Sequence, residues 1–358
     1  MNLKDISNTR LINQRITGTK FNSVKEVVSW MGAMQAQDFY MSQWAVGVRM
    51  SDASESTINS AIDNAEIIRT HALRPTWHFV SPDDIYWMLD LSAPRIKTAM
   101  KSRDRELGLT ESIFKKSNKI LLTILAGDNH LTRAEIISEF QRERIPVDDN
   151  RASHLFVRAE IDKIICSGKL KGKKQTYALL SERVKNPKVL NRDEALAELA
   201  KRYFTSHGPT TLHDFNWWSG LNITETKQAL EMVKSNLSSE TVGDHTYWFA
   251  NFQPEPVIEN NEVYLLPAFD EFLISYKDRS ASLTFDDHKK AVSNNGMFWP
   301  VIVQNGSVIG IWKRIINKDK VALETVFFKK VNKTTKRSIE KAFSSYGDFI
   351  NKKTLKIH

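Results

Sequence analysis

Thr132-Arg133-Ala134-Glu135-Ile136-Ile137-Ser138-Glu139-Phe140-Gln141 is the stretch whose reading decides the fold. A threonine followed three residues later by a glutamate is a capping box, and it predicts a helix over 134–141. Apolar spacing predicts a helix before it at 118–125 and another after it at 152–167. A hairpin over 170–180 then turns on Gly172-Lys173-Lys174. Helix, helix-turn-helix and two-stranded wing is the winged-helix plan, in which the second helix of the pair enters the major groove and the wing touches phosphate or the minor groove.

The same layout is read twice more. Helices at 7–15, 23–34 and 57–64 precede strands at 66–73 and 76–81. Helices at 192–206, 211–219 and 224–235 precede a hairpin over 239–249 that turns on Gly243-Asp244. Recurrence at roughly regular spacing strengthens the reading. After residue 250 the pattern becomes β, with strands at 257–258, 263–266, 297–303, 307–313 and 320–328, an Asn305-Gly306 hairpin turn and a closing helix at 334–346. The expected class is α+β: three tandem winged-helix units plus a C-terminal β-rich, barrel-like domain. The boundaries fall at 1–84 for unit 1, 85–117 for a connecting helical segment, 118–185 for unit 2, 186–250 for unit 3 and 251–358 for the β-rich domain with its basic tail.

A length of 358 residues allows two or three domains, and 41% hydrophobic with 26% charged residues is ordinary for a globular chain. No apolar run is long enough to cross a bilayer, and residues 1–12 lack the apolar core of a secretion signal. A single cysteine, Cys166, excludes an internal disulfide and a cysteine zinc cluster. It lies in an apolar run and reads as a small buried residue, so a reducing, cytoplasmic setting is expected. The net charge of +9 is unevenly placed. Residues 301–358 hold thirteen Lys or Arg against four Asp or Glu, and the rest of the chain balances. A second cluster, Lys163, Lys169, Lys171, Lys173 and Lys174, lies around the 170–180 hairpin. Clustered cations suit a polyanion such as nucleic acid.

Gln35-Ala36-Gln37 follows the 23–34 helix. Residues i and i+2 share a side only in extended chain, so two glutamines flanking an alanine cooperate best where helix gives way to strand. A carboxamide offers donors and an acceptor without charge, and a pair could orient one water. The alternative is a polar helix end whose amides satisfy loose backbone groups. Asp38 is the ionic rival, as a base or a stabiliser of a cationic sugar, or else a helix cap.

Four segments resemble a known family: Met34-Gln35-Ala36-Gln37, Arg69-Thr70-His71-Ala72-Leu73-Arg74-Pro75-Thr76-Trp77-His78-Phe79-Val80, Leu265-Leu266-Pro267-Ala268-Phe269-Asp270-Glu271-Phe272 and Gly310-Ile311-Trp312-Lys313-Arg314. They look like the signature segments of the AlkZ-like winged-helix DNA glycosylases, also catalogued as winged-helix DNA-binding domain proteins. The resemblance implies three winged-helix units and a β-domain around a basic channel, and release of alkylated purines, including bases tied into interstrand crosslinks. It implies catalysis by Gln35 and Gln37, the two-glutamine branch of the family. From the residues themselves Asp38 and His78 are lesser candidates, His78 either lining the pocket or hydrogen-bonding locally while Trp77 and Phe79 pack inward. Arg69, Arg74, Lys169, Lys171, Lys173, Lys174, Lys313 and Arg314 are the expected DNA contacts, with double-stranded DNA carrying alkylated purines as partner.

No cofactor is expected. No His-Glu-x-x-His spacing supports a metal site, and neither a phosphate loop, a dinucleotide fingerprint nor a serine elbow is present. Asp270-Glu271 reads as a carboxylate pair or as the first turn of a helix. Lys277-Asp278-Arg279 reaches DNA or forms surface ion pairs, and Trp217, Trp218 and Trp299 read as core or interface. The expectation is a monomeric, monofunctional DNA glycosylase, cytoplasmic and nucleoid-associated. The alternative is a non-catalytic winged-helix regulator, which would usually pair protein symmetry with a palindromic site.

Overall fold

The computed structural model describes residues 1–250 and 262–355. The strand expected at 257–258 lies outside the described residues. Helices and strands mix throughout, and the chain partitions into two compact units. One comprises residues 1–58, 197–218 and 223–358, and the other residues 59–196 and 219–222.

In the first unit, Ser23 opens the Val24–Met31 helix through a capping box with Glu26, and the helix buries Val24, Val27, Val28 and Met31. The helix stops three residues earlier than expected. Gly32 takes φ 77 and ψ −58, a conformation that side chains resist, and turns the chain into the buried strand Ala33–Gln35. Asp38 then caps Phe39–Gly47, a helix the sequence reading did not contain. Nearly every residue of that helix is buried, so it shows no amphipathic stripe by which to recognise it.

The C-terminal strands of this unit form a five-stranded sheet curled into a half-barrel. Val263–Leu266, Val301–Gln304, Ser307–Asn317 and Lys320–Phe327 pair antiparallel in sequence order, and Lys353–Thr354 adds a parallel edge. Asn305 and Gly306 both have positive φ, 50° and 77°, as a tight hairpin turn requires. The expected strand at 297–303 begins only at Val301. Its first residues instead form a loop bridged once, Val292 to Phe298. The Lys333–Phe349 helix lays Ile339, Phe343 and Tyr346 inward, and the Trp312 and Tyr346 rings meet edge to face at 5.2 Å.

In the second unit, Thr132 and Glu135 form the expected capping box at the head of Arg133–Arg142. Its Ile136 and Phe140 join Leu121, Leu155, Phe156 and Tyr177 in one core. The helix expected over 152–167 ends at Ile161. Lys163 takes φ 62 while Ile164 donates back to the Ala159 carbonyl, a left-handed helix ending. The β-branched Ile164 and Ile165 then lead into the strand Ile165–Ser167, which pairs with Thr176–Leu179. Residues 85–106 form one helix, Ile85–Glu106, that runs through Pro94. The Ile68–Ala72 and Thr76–Val80 strands pair in unbroken register, Arg69 opposite Phe79 and His71 opposite Trp77, so Pro75 sits in the turn without disturbing the alternation.

Gly32 is the local test of this frame. A Cβ there meets only ordinary contacts, 3.6 Å from Trp218 and 3.7 Å from Arg202, so any cost comes from the backbone. We predict that Gly32→Ala lowers unfolding free energy by about 1–3 kcal/mol in urea titration. An unchanged midpoint would show that the turn into the Gln35 strand relaxes freely.

Candidate active site

Gln35 and Gln37 both lie in the first unit, but their surroundings differ. Gln35 is 4% exposed, whereas Gln37 is exposed. The backbone N–H of Gln35 donates to Glu271 Oε1 at 2.5 Å. The other oxygen of that carboxylate accepts from Trp218 Nε1 at 3.2 Å and from the Ser275 hydroxyl. His207 Nε2 stands 3.6 Å away. Burial alone would raise the Glu271 pKa, yet His207, Ser275 and the Gln35 N–H outweigh it and hold the carboxyl down to about 2. Burial also lowers the His207 imidazole from its ordinary value. Three donors converge on the two oxygens of Glu271, so the geometry supports an ionised carboxylate beneath the strand.

Further buried ions hold Glu271 in turn. Arg49 grips Asp270 with two bonds of 2.9 Å and also donates to Gln14 Oε1 at 2.9 Å. Gln14 donates to the Tyr276 hydroxyl at 2.9 Å, and that hydroxyl donates to the His207 carbonyl at 2.8 Å. Asp270 caps the short Glu271–Ile274 helix through the Phe272 N–H. The first-turn placement of Asp270-Glu271 is therefore present, and the network around it is the part that sequence reasoning missed. Arg49, placed between apolar neighbours in Val46-Gly47-Val48-Arg49-Met50, was the available signal. A charge in an apolar run is buried only when paired.

Asp38 is half-buried, and its Oδ1 accepts the Met41 N–H at 3.1 Å, so its carboxylate caps a helix. Corrections apply to two of the candidate residues. His78 is fully buried, with Nδ1 donating to the Thr76 carbonyl at 2.9 Å, and so cannot touch a substrate. Arg69 is 7% exposed, stacks 4.0 Å over Trp77 and donates to Gln175 Oε1, so it braces the hairpin instead of displaying a cation.

Arg74 is half-buried beside them in the second unit. There too, Lys169 pairs with Asp128 at 2.8 Å and Lys171 with Glu135 at 3.3 Å, while Lys173 and Lys174 at the hairpin tip make no ion pair among the described residues. In the first unit, Lys313 is exposed and Arg314 donates to the Tyr346 hydroxyl. Cys166 is buried with its thiol pushed up to about 12 by desolvation, an inert core residue as expected. Among the described residues no helix is long and apolar enough to cross a membrane.

These features define a mixed α+β protein with a buried Gln35 at the end of a short strand tied to Glu271, an exposed Gln37 just beyond it, and lysines at a hairpin tip. The DNA glycosylase AlkZ-like family matches residues 28–349. The chain belongs to that family, and membership makes it a DNA glycosylase. An interstrand DNA cross-link repair glycosylase from Streptomyces sahachiroi is 24% identical over 314 residues, covering 84% of each chain. The solved Streptomyces sahachiroi DNA glycosylase AlkZ is similar with a TM-score of 0.81 at 20% identity, covering all of both chains, which establishes the shared fold.

The depressed Glu271 pKa sets a pH dependence. Its contribution to stability is whole above the ordinary carboxylate value of 4.5 and is lost as pH falls from there towards about 2. Glu271→Gln should cost about 2–4 kcal/mol at pH 7, with the gap to the unsubstituted protein shrinking by pH 3 in denaturant titrations. A gap that stays constant from pH 7 to pH 3 would refute an ionised Glu271.

Proposed function

We propose that the chain hydrolyses the N-glycosidic bond of alkylated, N7-adducted purines in duplex DNA, with interstrand cross-links among its substrates. The supporting observation is an exposed Gln37 two residues after Gln35, whose buried backbone is tied to an ionised carboxylate. The relative named for interstrand cross-link repair points to the same substrate class.

An N7-alkylated purine already carries positive charge. When its bond to C1′ breaks, the bonding pair neutralises the departing ring, so the reaction needs little general acid. Water oxygen bonds to C1′ and a proton is released to solvent. What the enzyme supplies is a positioned water and tolerance of cationic character on the sugar. Gln37 holds that water, and Gln35 fixes the strand that leads to Gln37. Asp38 acts as a helix cap, a role its asparagine analogue can fill, so Asp38→Asn keeps most activity.

The architecture behind this reading is three winged-helix units at 1–84, 118–185 and 186–250, a connector at 85–117 and a β-rich domain at 251–358. Each unit ends in a hairpin: Ile68–Ala72 with Thr76–Val80, Ile165–Ser167 with Thr176–Leu179, and Leu237–Val242 with His245–Ala250. Lys173, Lys174 and Lys313 are the exposed cations that would meet phosphates, with Arg74, Lys169, Lys171 and Arg314 in support. The enzyme acts as a monomer, cytoplasmic and nucleoid-associated, without cofactor and without a lyase step.

The test incubates the protein with duplexes bearing N7-methylguanine or a nitrogen-mustard cross-link and scores alkali-labile sites. Gln37→Ala should slow release on the order of 100-fold or more, and Gln35→Ala should slow it less. Undiminished release by the double variant would sink the assignment.

A further inference from the structure

A cavity of about 390 Å³ lies in the second unit, floored by Leu109 and Phe114 and lined by four cations, Lys97, Lys101, Arg105 and Arg158, against two carboxylates, Asp104 and Glu111. The two acids are already engaged. Glu111 accepts two bonds from Arg158, at 2.8 and 2.7 Å, and Asp104 accepts from His154 Nδ1 at 2.5 Å. Lys97 is also engaged, with Asp162 at 2.5 Å. Lys101 and Arg105 are left over. They sit one turn apart on the Ile85–Glu106 helix, both exposed, and neither has an acidic partner among the described residues. Lys101 lies more than a turn from the helix end, so the helix dipole does not explain its placement.

The cavity lining carries four cations against two carboxylates. Glu111 has its pKa lowered by the bond from Arg158 and by the charges of Arg158, Lys97 and Lys115. The N-terminus of the Glu111–Ile124 helix adds its partial positive charge at the rim. Arg158 stacks 4.7 Å over Phe114, which fixes the back wall. Two unpaired cations facing one rigid concavity are arranged for a compact anion with several acceptor oxygens.

We propose that this cavity is a phosphate site, in which Lys101 and Arg105 receive a tetrahedral phosphate oxyanion, supplied by the backbone of duplex DNA or by free phosphate. It adds a backbone contact outside the hairpin lysines, and for the duplex source it rests on DNA being the substrate. Phosphate contacts fix register without reading sequence, as an enzyme that must accept a lesion in any sequence requires.

The test compares the full-length protein with Lys101→Glu/Arg105→Glu, the charge-keeping Lys101→Arg/Arg105→Lys, and a remote reversal, Lys119→Glu/Arg144→Glu. Binding of an undamaged duplex is followed by fluorescence anisotropy across a salt series, and inorganic phosphate by thermal shift at constant ionic strength. With duplex backbone as the source, the slope of log affinity against log salt falls by about one in the Lys101/Arg105 reversal and is kept by the charge-keeping variant. With free phosphate as the source, phosphate raises the Tm of the unsubstituted protein but not of the reversal. Folded variants with neither change, or an equal fall in the remote reversal, overturn the proposal. Duplex binding with the expected slope change but no release of alkylated base would refute the catalytic reading and leave this site standing.

Discussion

The hydrogen bond from the Gln35 N–H to Glu271 is the constraint on which the rest of the site depends. A three-residue strand has little stability of its own, and the turn at Gly32 that delivers it is a conformation seldom adopted. An ionised, buried carboxylate is a strong acceptor, but it persists only when donors surround it. Trp218 and Ser275 supply them, and the adjoining Asp270 is gripped by Arg49. Residues 14, 35, 49, 207, 218, 270 and 271 are thereby joined within one unit, and removing Arg49 would leave Asp270 as a buried, uncompensated charge. The strand that leads to Gln37 is therefore held in place by buried ions.

In the proposed mechanism, that arrangement separates two tasks which a catalytic carboxylate would combine. A charged side chain at the water position would bind the cationic alkylpurine in its ground state as well as stabilise the sugar later, and equal stabilisation of both states adds nothing to the rate. A carboxamide orients water without that bias. The negative charge of Glu271 is buried, with its two oxygens taken by the Gln35 N–H, Trp218 and Ser275. Asp38 caps a helix through one oxygen and is half-buried, whereas the neighbouring Gln37 is exposed.

What the sequence disclosed follows the range of the interactions. The box at Thr132 and Glu135 and the turn at Asn305 and Gly306 are made by residues at most three apart, and the structure contains both. The helix stop at Lys163 and the buried helix Phe39–Gly47 were not legible, because a positive φ at lysine has no compositional sign and full burial erases periodicity. In the site, Gln35 and Gln37 stood out as a motif, but Glu271 lies 236 residues beyond the strand it anchors. His78 and Arg69 show the reverse error. Polar residues on a hairpin look like ligands in sequence, and here burial and partners inside the fold claim them.

The same accounting of partners separates a basic composition from a binding surface. Lys163, Lys169 and Lys171 form a conspicuous run with Lys173 and Lys174, yet the first three face Asp90, Asp128 and Glu135. Exposed pairs of this kind add little stability, and each carboxylate also cancels most of its lysine's contribution to the field, since the counter-charge stays when DNA arrives. The attraction at that hairpin therefore concentrates at its tip. By the same reasoning Lys101 and Arg105, which no run of sequence marks out, gain weight because their neighbouring acids are already committed to Arg158 and His154. Counterion release depends on cations free to replace salt at a phosphate, so the uncommitted cations set the salt dependence of binding more than the excess of nine positive charges does.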